Sequence, residues 1–392
     1  NHKYVDLKIG IKFLQVLIIS TFKCLKISYL INKYNVKSLI INQDVMATNG
    51  AIAIRIGIKN NIKVIEPACN FKRSHYFIEH NKKNLKMGVD NFYLNYLRYN
   101  KKNFSNLKLT KKKIDIFLKK RLQGKIEVNY TGIIDLMNAN KSPKIFSKKY
   151  LLKKLNVKEK YIDKIFLFAP HAFSDAPHGQ GKNILFLDYY DHCKQTLQFI
   201  KKNKLKNILW VVRPHPTRIK YGEKKIFDNL FEEIIGHNDD RIKLCPDYIN
   251  TLSLIEICDL VVTLKGTISI EFPCYGKKSI TCSTTPFSYL GVTSEANSKK
   301  NYFEKIKRAG KEKTSVTTKQ KKIAQKVLYT MENAIPSNSI GSSKILTKDL
   351  MRKMSSPLKD QDYALFCPEV IEKLRIYGFN NDNYYRDLYK IL

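Results

Sequence analysis

RIKLCPDYINTLSLIEICDLVVTLKGTISIEFPCYGKKSITC, residues 241–282, decides the fold. RIKLCP, DLVVTL and KSITC are short apolar runs of the kind that form buried strands. Between them, TLSLIEIC and GTISIEFPCYG read as helices. Upstream the same alternation continues. KIFLFAPHA (164–172) is an apolar strand that ends in a polar loop, and DYYDHCKQTLQFIKKNK (188–204) has apolar residues at three- and four-residue steps. NILWVVRPHP (207–216) is a strand stopped by Pro214 and Pro216, and KKIFDNLFEEIIG (224–236) is a helix closed by Gly236. Strands alternating with helices over short connections predict a parallel, doubly wound α/β sheet with right-handed crossovers. In such sheets ligands sit beyond the carboxyl ends of the strands. The loops HAFSDAPHG, RPHP, CPDYIN and TLKGT are therefore expected to line one cleft.

Further out, VKSLIIN (36–42), MATNGAIAIRIGIKN (46–60) and NIKVIEP (61–67) read as a β-α-β unit. Residues 70–147 are less regular and hold KKKIDIFLKKRLQGK (111–125), a helix stopped by Gly124. After Pro286 the chain is polar and Lys-rich as far as Lys326, and IAQKVLYTMENAI (323–335) reads as a helix. SNSIGSSK (337–344) reads as a flexible link, with two short helices and exposed tyrosines expected in the last fifty residues. The expected division is an N-terminal Rossmann-like domain over 1–160, a nucleotide-binding Rossmann-like domain over 161–340 and a helical tail over 341–392.

The 392 residues carry 71 Lys plus Arg against 34 Asp plus Glu, a net charge of +37. That excludes an acidic solvating protein and points to an anionic partner: nucleic acid, a membrane surface or a phosphorylated substrate. Drift of composition towards Lys, Asn and Ile is the competing reading of the same excess. The apolar segment 13–21 spans nine residues between lysines, short of the ~20 that cross a bilayer. A buried or partly amphipathic helix is expected there, with any membrane contact peripheral. The eight cysteines are scattered without a CxxC pair or zinc-ligand spacing, as in a reducing cytoplasm.

Three elements carry candidate chemistry. In RPHP the prolines fix a rigid strand-end turn that presents Arg213 and His215, a guanidinium and an imidazole suited to a phosphate or carboxylate oxygen. A purely structural histidine in a turn is the competing reading. In LKGTISIEF, Gly266 permits close backbone approach and Lys265 adds a charge. Thr267 or Ser269 can cap the next helix, and Glu271 lies one turn in, placed to bind sugar hydroxyls. The competing reading is an ordinary capped helix whose Glu faces solvent. HAFSDAPHG places His171, Asp175 and His178 in a third strand-end loop, with Asp175 a base, a nucleophile or the orienter of a histidine. His-x6-His with one Asp is not a specific metal spacing. A G-x-S-x-G elbow, a P-loop and a GxGxxG turn are all absent. Asp360 and Asp362 in the tail read as surface residues.

These motifs resemble the C-terminal half of bacterial capsule-polysaccharide glycosyltransferases, the family that includes the Kdo transferases. A looser similarity runs to His-Pro-motif sialyltransferases and CDP-glycerol polymerases. The resemblance covers roughly 164–291. It implies a GT-B architecture, two Rossmann-like domains facing across a cleft, and sugar transfer from a nucleotide donor to a glycan or glycolipid acceptor. It also implies that His215 contacts the donor phosphate and that Thr267, Ser269 and Glu271 hold phosphate and ribose. The acceptor domain often supplies the catalytic carboxylate, which points to Asp44, with Asp175 and His171 as rivals. No cofactor and no metal are implied. A CMP-linked acidic sugar, such as Kdo or a sialic-acid-like sugar, is the expected donor. The expected setting is the cytoplasm, with peripheral contact at an anionic inner membrane, and no nucleic-acid partner. Two alternatives are a sugar-nucleotide epimerase of the same shape and a polyanion-binding protein, for which YLNYLRYNKKNF (93–104) is the best stretch.

Overall fold

A computed structural model describes residues 11–40, 48–70, 74–80, 109–122, 145–174, 184–203, 205, 207–219, 222–236, 239–283, 285, 287–288 and 290–333. The chain divides into two compact units, one holding the described residues up to 80 together with 331–333 and the other those from 109 to 330. The expected tail over 341–392, the link before it and the aromatic stretch 93–104 lie outside the described residues.

The N-terminal unit begins with α1 (Ile11–Lys33), followed by β1 (Ser38–Ile40), α2 (Thr48–Lys59), β2 (Lys63–Asn70) and β3 (Ser74–His80). β1 and β2 pair in parallel around α2, which is the β-α-β unit read from the sequence. β3 returns antiparallel to β2, so this sheet is mixed rather than wholly parallel. Gly57 lets α2 sit down on the sheet: a Cβ there would come within 2.5 Å of the Val64 side chain. Of the buried or partly amphipathic helix expected at 13–21, the burial is corrected. α1 is 23 residues long, and its Leu14, Val16, Leu17, Ile18 and Ile19 are exposed. The lysines read as its flanks lie within it, because Lys and Leu have similar helix propensity and a single lysine does not end a helix.

In the second unit, α3 (Lys111–Leu122) and α4 (Lys148–Lys154) precede a six-stranded parallel sheet. Its strands are β4 (Lys164–Ala169), β5 (Ile208–Val212), β6 (Ile242–Leu244), β7 (Leu260–Thr263), β8 (Lys278–Thr281) and β9 (Ser294–Glu295). The helices between and after them are α5 (Tyr189–Asn203), α6 (Lys224–Ile234), α7 (Thr251–Ile257), α8 (Ile268–Cys274), α9 (Lys299–Lys311) and α10 (Thr318–Asn333). The spatial order is β6-β5-β4-β7-β8-β9, every neighbouring pair parallel.

Strand alternation sorts the core into two layers. Phe166, Phe168, Trp210, Val212, Leu260 and Val262 face α5, α6 and α9, contacting Leu197, Phe227 and Tyr302 among others. Ile165, Leu167, Leu209, Val211 and Val261 face α4, α7 and α8 through Leu151, Ile255 and Phe272. Helices therefore cover both faces, as the doubly wound reading requires. The packing of Leu151, Leu152 and Leu155 on Ile165 and Leu167 also explains why α4 belongs to this unit. β9 and α9 were not expected in the Lys-rich stretch after Pro286. α9 nevertheless buries Tyr302, Ile306 and Ala309 at helical spacing, while Lys300, Lys307 and Lys311 are exposed and Lys299 and Lys305 flank the buried seam.

Candidate functional site

The chain winds outward from β4 through β5 to β6, then crosses back to β7 and winds the other way. β4 and β7 are adjacent, so their carboxyl ends flank a topological switch point, the usual ligand crevice of such sheets. The Thr263 hydroxyl donates to the Ala169 carbonyl at 2.7 Å and ties the two strand ends together. Just beyond them come His171 on one side and Lys265 and Gly266 on the other.

His171 is the middle ring of a stack. Its centroid lies 4.4 Å from that of the buried Tyr189, and 5.4 Å from that of His215 at an interplanar angle of 13°. Two histidines from different strand-end loops, read separately in the sequence, are therefore neighbours. Burial, and then the charge of Lys265, lower the pKa of His171 to about 3. It is a neutral imidazole at physiological pH.

His215 sits at the start of a one-turn 3-10 helix, Pro216–Arg218. Its backbone is extended, and its Nδ1 accepts from the Thr217 N–H at 3.4 Å and lies 2.6 Å from the Thr217 hydroxyl. An Nδ1 that accepts puts the proton of the neutral ring on Nε2. The proline-fixed turn thus presents an Nε2–H donor, the polarity that a phosphate oxygen needs.

Arg213 reaches the same region but is buried. Its Nη1 donates to the carbonyls of Pro246 and Asp247 at 2.9 and 3.0 Å, bracing the loop after β6. Arg218 grips both carboxylate oxygens of Asp247 at 2.9 Å. On the other side of the 3-10 turn, Glu223 accepts from the backbone N–H groups of Phe173 and Ser174 at 2.8 and 2.7 Å, and from the Ser174 hydroxyl. Arg213, Arg218 and Glu223 fasten the His215 loop to its neighbours on both sides.

The 265–271 element differs from expectation in its details. Neither Thr267 nor Ser269 caps α8. Thr267 is the cap residue, but its backbone is already helical (φ −56°, ψ −23°), whereas a capping side chain needs an extended residue to reach the free N–H groups. The Ser269 hydroxyl donates to the Gly266 carbonyl at 2.7 Å. No protein backbone crowds Gly266; the nearest atoms to a Cβ built there are the side chains of Thr263 and Ile268 at 3.6 and 3.7 Å. Glu271 does not face solvent. It is buried, and its Oε1 accepts from Nε and Nη2 of Arg121 on α3 at 3.1 and 3.0 Å. Its Oε2 takes no hydrogen bond from the described residues.

Asp44, Asp175 and His178 lie outside the described residues. Among the described residues, no group of three or more His, Cys, Asp or Glu side chains is placed to hold a metal ion. Tyr189, Thr217, Glu223, Asp247 and Arg121 were not singled out in the sequence. Thr217, two residues from His215, and Asp247, within a quoted loop, carried a local signal. Glu223 and Arg121 act across 49 and 150 residues, a separation that no spacing rule reaches.

His192 supplies a pH test of this unit. It is fully buried under Phe168 and Phe186, with Nε2 3.0 Å from the Tyr302 hydroxyl. Burial lowers its pKa to about 3, with His171 adding to the effect and Asp191 opposing it. An unfolded histidine titrates near ~6.5, so below that pH the unfolded chain binds a proton that the folded chain excludes. The contribution is complete above pH ~6.5 and is lost as pH falls towards about 3. Denaturant unfolding between pH ~6.5 and ~5, above the carboxylate range, is expected to show stability falling with pH. In His192→Gln the slope should shrink by about one proton. An unchanged slope would contradict the assignment.

No protein-family model and no curated protein matches the chain. Its structure is similar to solved structures at low identity. The Kdo 2,4 transferase KpsC of Thermosulfurimonas dismutans aligns at 13% identity and TM-score 0.39, over 74% of this chain and 78% of that one. UDP-GlcNAc 2-epimerase of Neisseria meningitidis, bound to UDP-GlcNAc, aligns at 16% and 0.33, over 85% and 81%. A glycosyltransferase from Rickettsia africae ESF-5 aligns at 12% and 0.34, over 86% and 80%.

Proposed function

We propose that the protein is a glycosyltransferase that moves a sugar from a nucleotide donor to a glycan or glycolipid acceptor. The observation that carries this reading is the stacked pair His171 and His215 at the switch point, with Lys265 alongside and the Nε2–H of His215 set as a donor. The pair supplies directed hydrogen bonding and the lysine supplies charge, and the loops holding them are braced before any ligand arrives.

In the reaction the acceptor oxygen attacks the anomeric carbon, the bond from that carbon to the donor phosphate oxygen breaks, and the hydroxyl proton passes to a base. Negative charge grows on the departing phosphate. His215 and Lys265 stabilise it there, fixed in place beforehand. His171 is too weak a base in the folded chain to hold a proton at neutral pH. We therefore assign it to donor orientation, and assign the base to Asp175 or Asp44, as the resemblance implies. Arg213 positions the phosphate site through its loop contacts. Glu271 keeps Oε2 for the donor's ribose, while Thr267 and Ser269 line the approach to the phosphate. Gly266 leaves room there. Metal-free chemistry, a CMP-linked acidic sugar and a cytoplasmic setting complete the reading.

A thermal-shift screen against CMP, CDP, UDP and GDP tests it, since a ligand bound only by the native state raises the melting temperature. At a ligand concentration of ~100 Kd the gain is ~2.7 kcal/mol, a shift of several degrees for a unit of this size. One nucleotide is expected to stand out. No shift from any of them would count against the proposal. An incubation of donor without acceptor separates transfer from epimerisation: a transferase leaves the sugar's configuration unchanged, and an epimerised product would overturn the transferase reading.

A further inference from the structure

α1 is built into its unit along one side. Ile31 is buried, and Ser20, Lys23, Cys24, Ile27 and Ser28 are half-buried at three- and four-residue steps, with α2 packed alongside. A second apolar line runs along the opposite side: Ile11, Leu14, Ile18, Phe22, Leu25 and Tyr29, each 45–76% exposed. At 3.6 residues per turn, these steps of three and four keep all six within an arc of about 80°. Val16, Leu17 and Ile19 are exposed too, but beyond Ser20 the large apolar residues exposed on α1 are Phe22, Leu25 and Tyr29, all on this line. At ~1.5 Å per residue the line is about 27 Å long. No charged residue of the helix holds a position within its arc. Lys26 and Lys33 border it, and the Lys33 ammonium lies 5.5 Å from the ring centroid of Tyr29 and 5.6 Å from that of the exposed Tyr34.

A surface helix of a soluble fold has one apolar stripe, which faces the core, and a polar face in water. α1 has two stripes, and the fold uses one. By length and composition, Leu14–Lys33 could cross a membrane. A crossing would pull the helix away from α2 and place Lys23 and Lys26 in hydrocarbon, where an ammonium is costly. Lying in the plane of the bilayer surface requires neither. Helices that do so sink their apolar face by ~5–10 Å and keep flanking lysines at the headgroups. Tyr29, Lys33 and Tyr34 at the end of the stripe fit that depth, because tyrosine concentrates at the lipid–water boundary and lysine reaches back to it.

We propose that α1 lies flat on an anionic membrane surface, with the stripe from Ile11 to Tyr29 at the edge of the acyl region and Lys26 and Lys33 among the headgroups. α2 and the rest of the unit stand behind the helix, on its far side. Charge argues for lipid as the occupant rather than a second copy of the chain. Two copies each at +37 repel, whereas an anionic surface attracts them. The proposal is independent of the transferase reading.

Flotation of the full chain with vesicles tests it, using phosphatidylcholine alone and phosphatidylcholine with one third phosphatidylglycerol. The wild type is expected to float with the anionic vesicles, less so at high salt. Ile18→Asp with Leu25→Asp should lower the floated fraction roughly tenfold or more. Both positions are exposed, so the variant's circular dichroism and melting temperature should match the wild type. Val16 is also exposed but lies two residues before Ile18, about 200° around the helix. Val16→Asp should therefore float like the wild type. An Ile18→Trp variant should shift its emission to the blue on vesicle addition and be quenched by lipids brominated in their acyl chains, and Val16→Trp should show neither response. The single native Trp210 is buried in the other unit and adds only a constant background. Wild-type protein that fails to float, a double variant that floats equally well, or a Val16→Asp variant that loses as much as the double variant would overturn the proposal. So would a lipid-free dimer that the double variant dissociates and vesicles leave intact.

Discussion

His215→Ala is expected to lower turnover by ~10²–10³ while leaving the fold intact, the usual cost of removing one fixed donor from developing negative charge. Two features support a clean effect. The ring is held by Thr217 at Nδ1, and the turn is held by its own prolines and by the contacts of Arg213 and Arg218 with the 246–247 loop. Losing the imidazole therefore removes the donor, the stacking on His171 and the Thr217 contacts at Nδ1, but leaves the bonds made by Arg213, Arg218 and Glu223 in place. A Thr217→Val variant separates tautomer from presence. It keeps the ring and loses the hydroxyl contact, so it should lie between wild type and His215→Ala. The measurement is steady-state turnover with the donor identified by the nucleotide screen. Wild-type turnover in purified His215→Ala would sink the assignment.

The second large effect is on stability. Arg121→Ala strips the Glu271 carboxylate of both hydrogen bonds described for it while leaving it buried. An unpaired buried charge typically costs ~3–5 kcal/mol. Arg121 is itself partly open, its side chain 17% exposed, which favours the lower end, about 3 kcal/mol. The loss should appear in the denaturation midpoint with the slope unchanged. Replacing both partners, Arg121→Met with Glu271→Leu, should recover most of it, because an apolar pair of similar volume needs no compensation. If the single variant costs less than ~1 kcal/mol, the pair is a solvated contact rather than a buried one.

The second unit was legible in the sequence because its strands are buried on both faces. Such strands read as continuous apolar runs, and KIFLFA, ILWVV and LVVT each lie within the strand expected for them. Gly236 closes α6 at a positive φ of 78°, as its position suggested. The short helices α7 and α8 also fell where expected, even with Pro273 inside α8. α9 was missed because 5 of its 13 residues are lysine, and that surface signal hid a three-residue buried seam. α1 was misjudged for a related reason: its apolar segment was measured between two lysines that both lie inside the helix.

At the site, the residues were legible but their partners were not. His171, His215 and Lys265 could be placed at strand ends, and strand ends in a doubly wound sheet converge. Glu271 was chosen for a sugar hydroxyl, yet its bonded oxygen faces Arg121, 150 positions away. Arg213 looked like a ligand group and is bonded to two carbonyls. A side chain's chemistry is visible in the sequence. Which of its atoms are already engaged depends on tertiary contacts that periodicity does not encode.

The most direct test of the switch-point site is a calorimetric titration of the nucleotide chosen by the screen into wild-type protein and into His215→Ala, side by side. One site is expected on the wild type, weakened by roughly tenfold or more in the variant, in line with the loss of a charge-assisted hydrogen bond. Equal affinity in the two proteins would contradict it, since the nucleotide would then be bound somewhere other than beside His215.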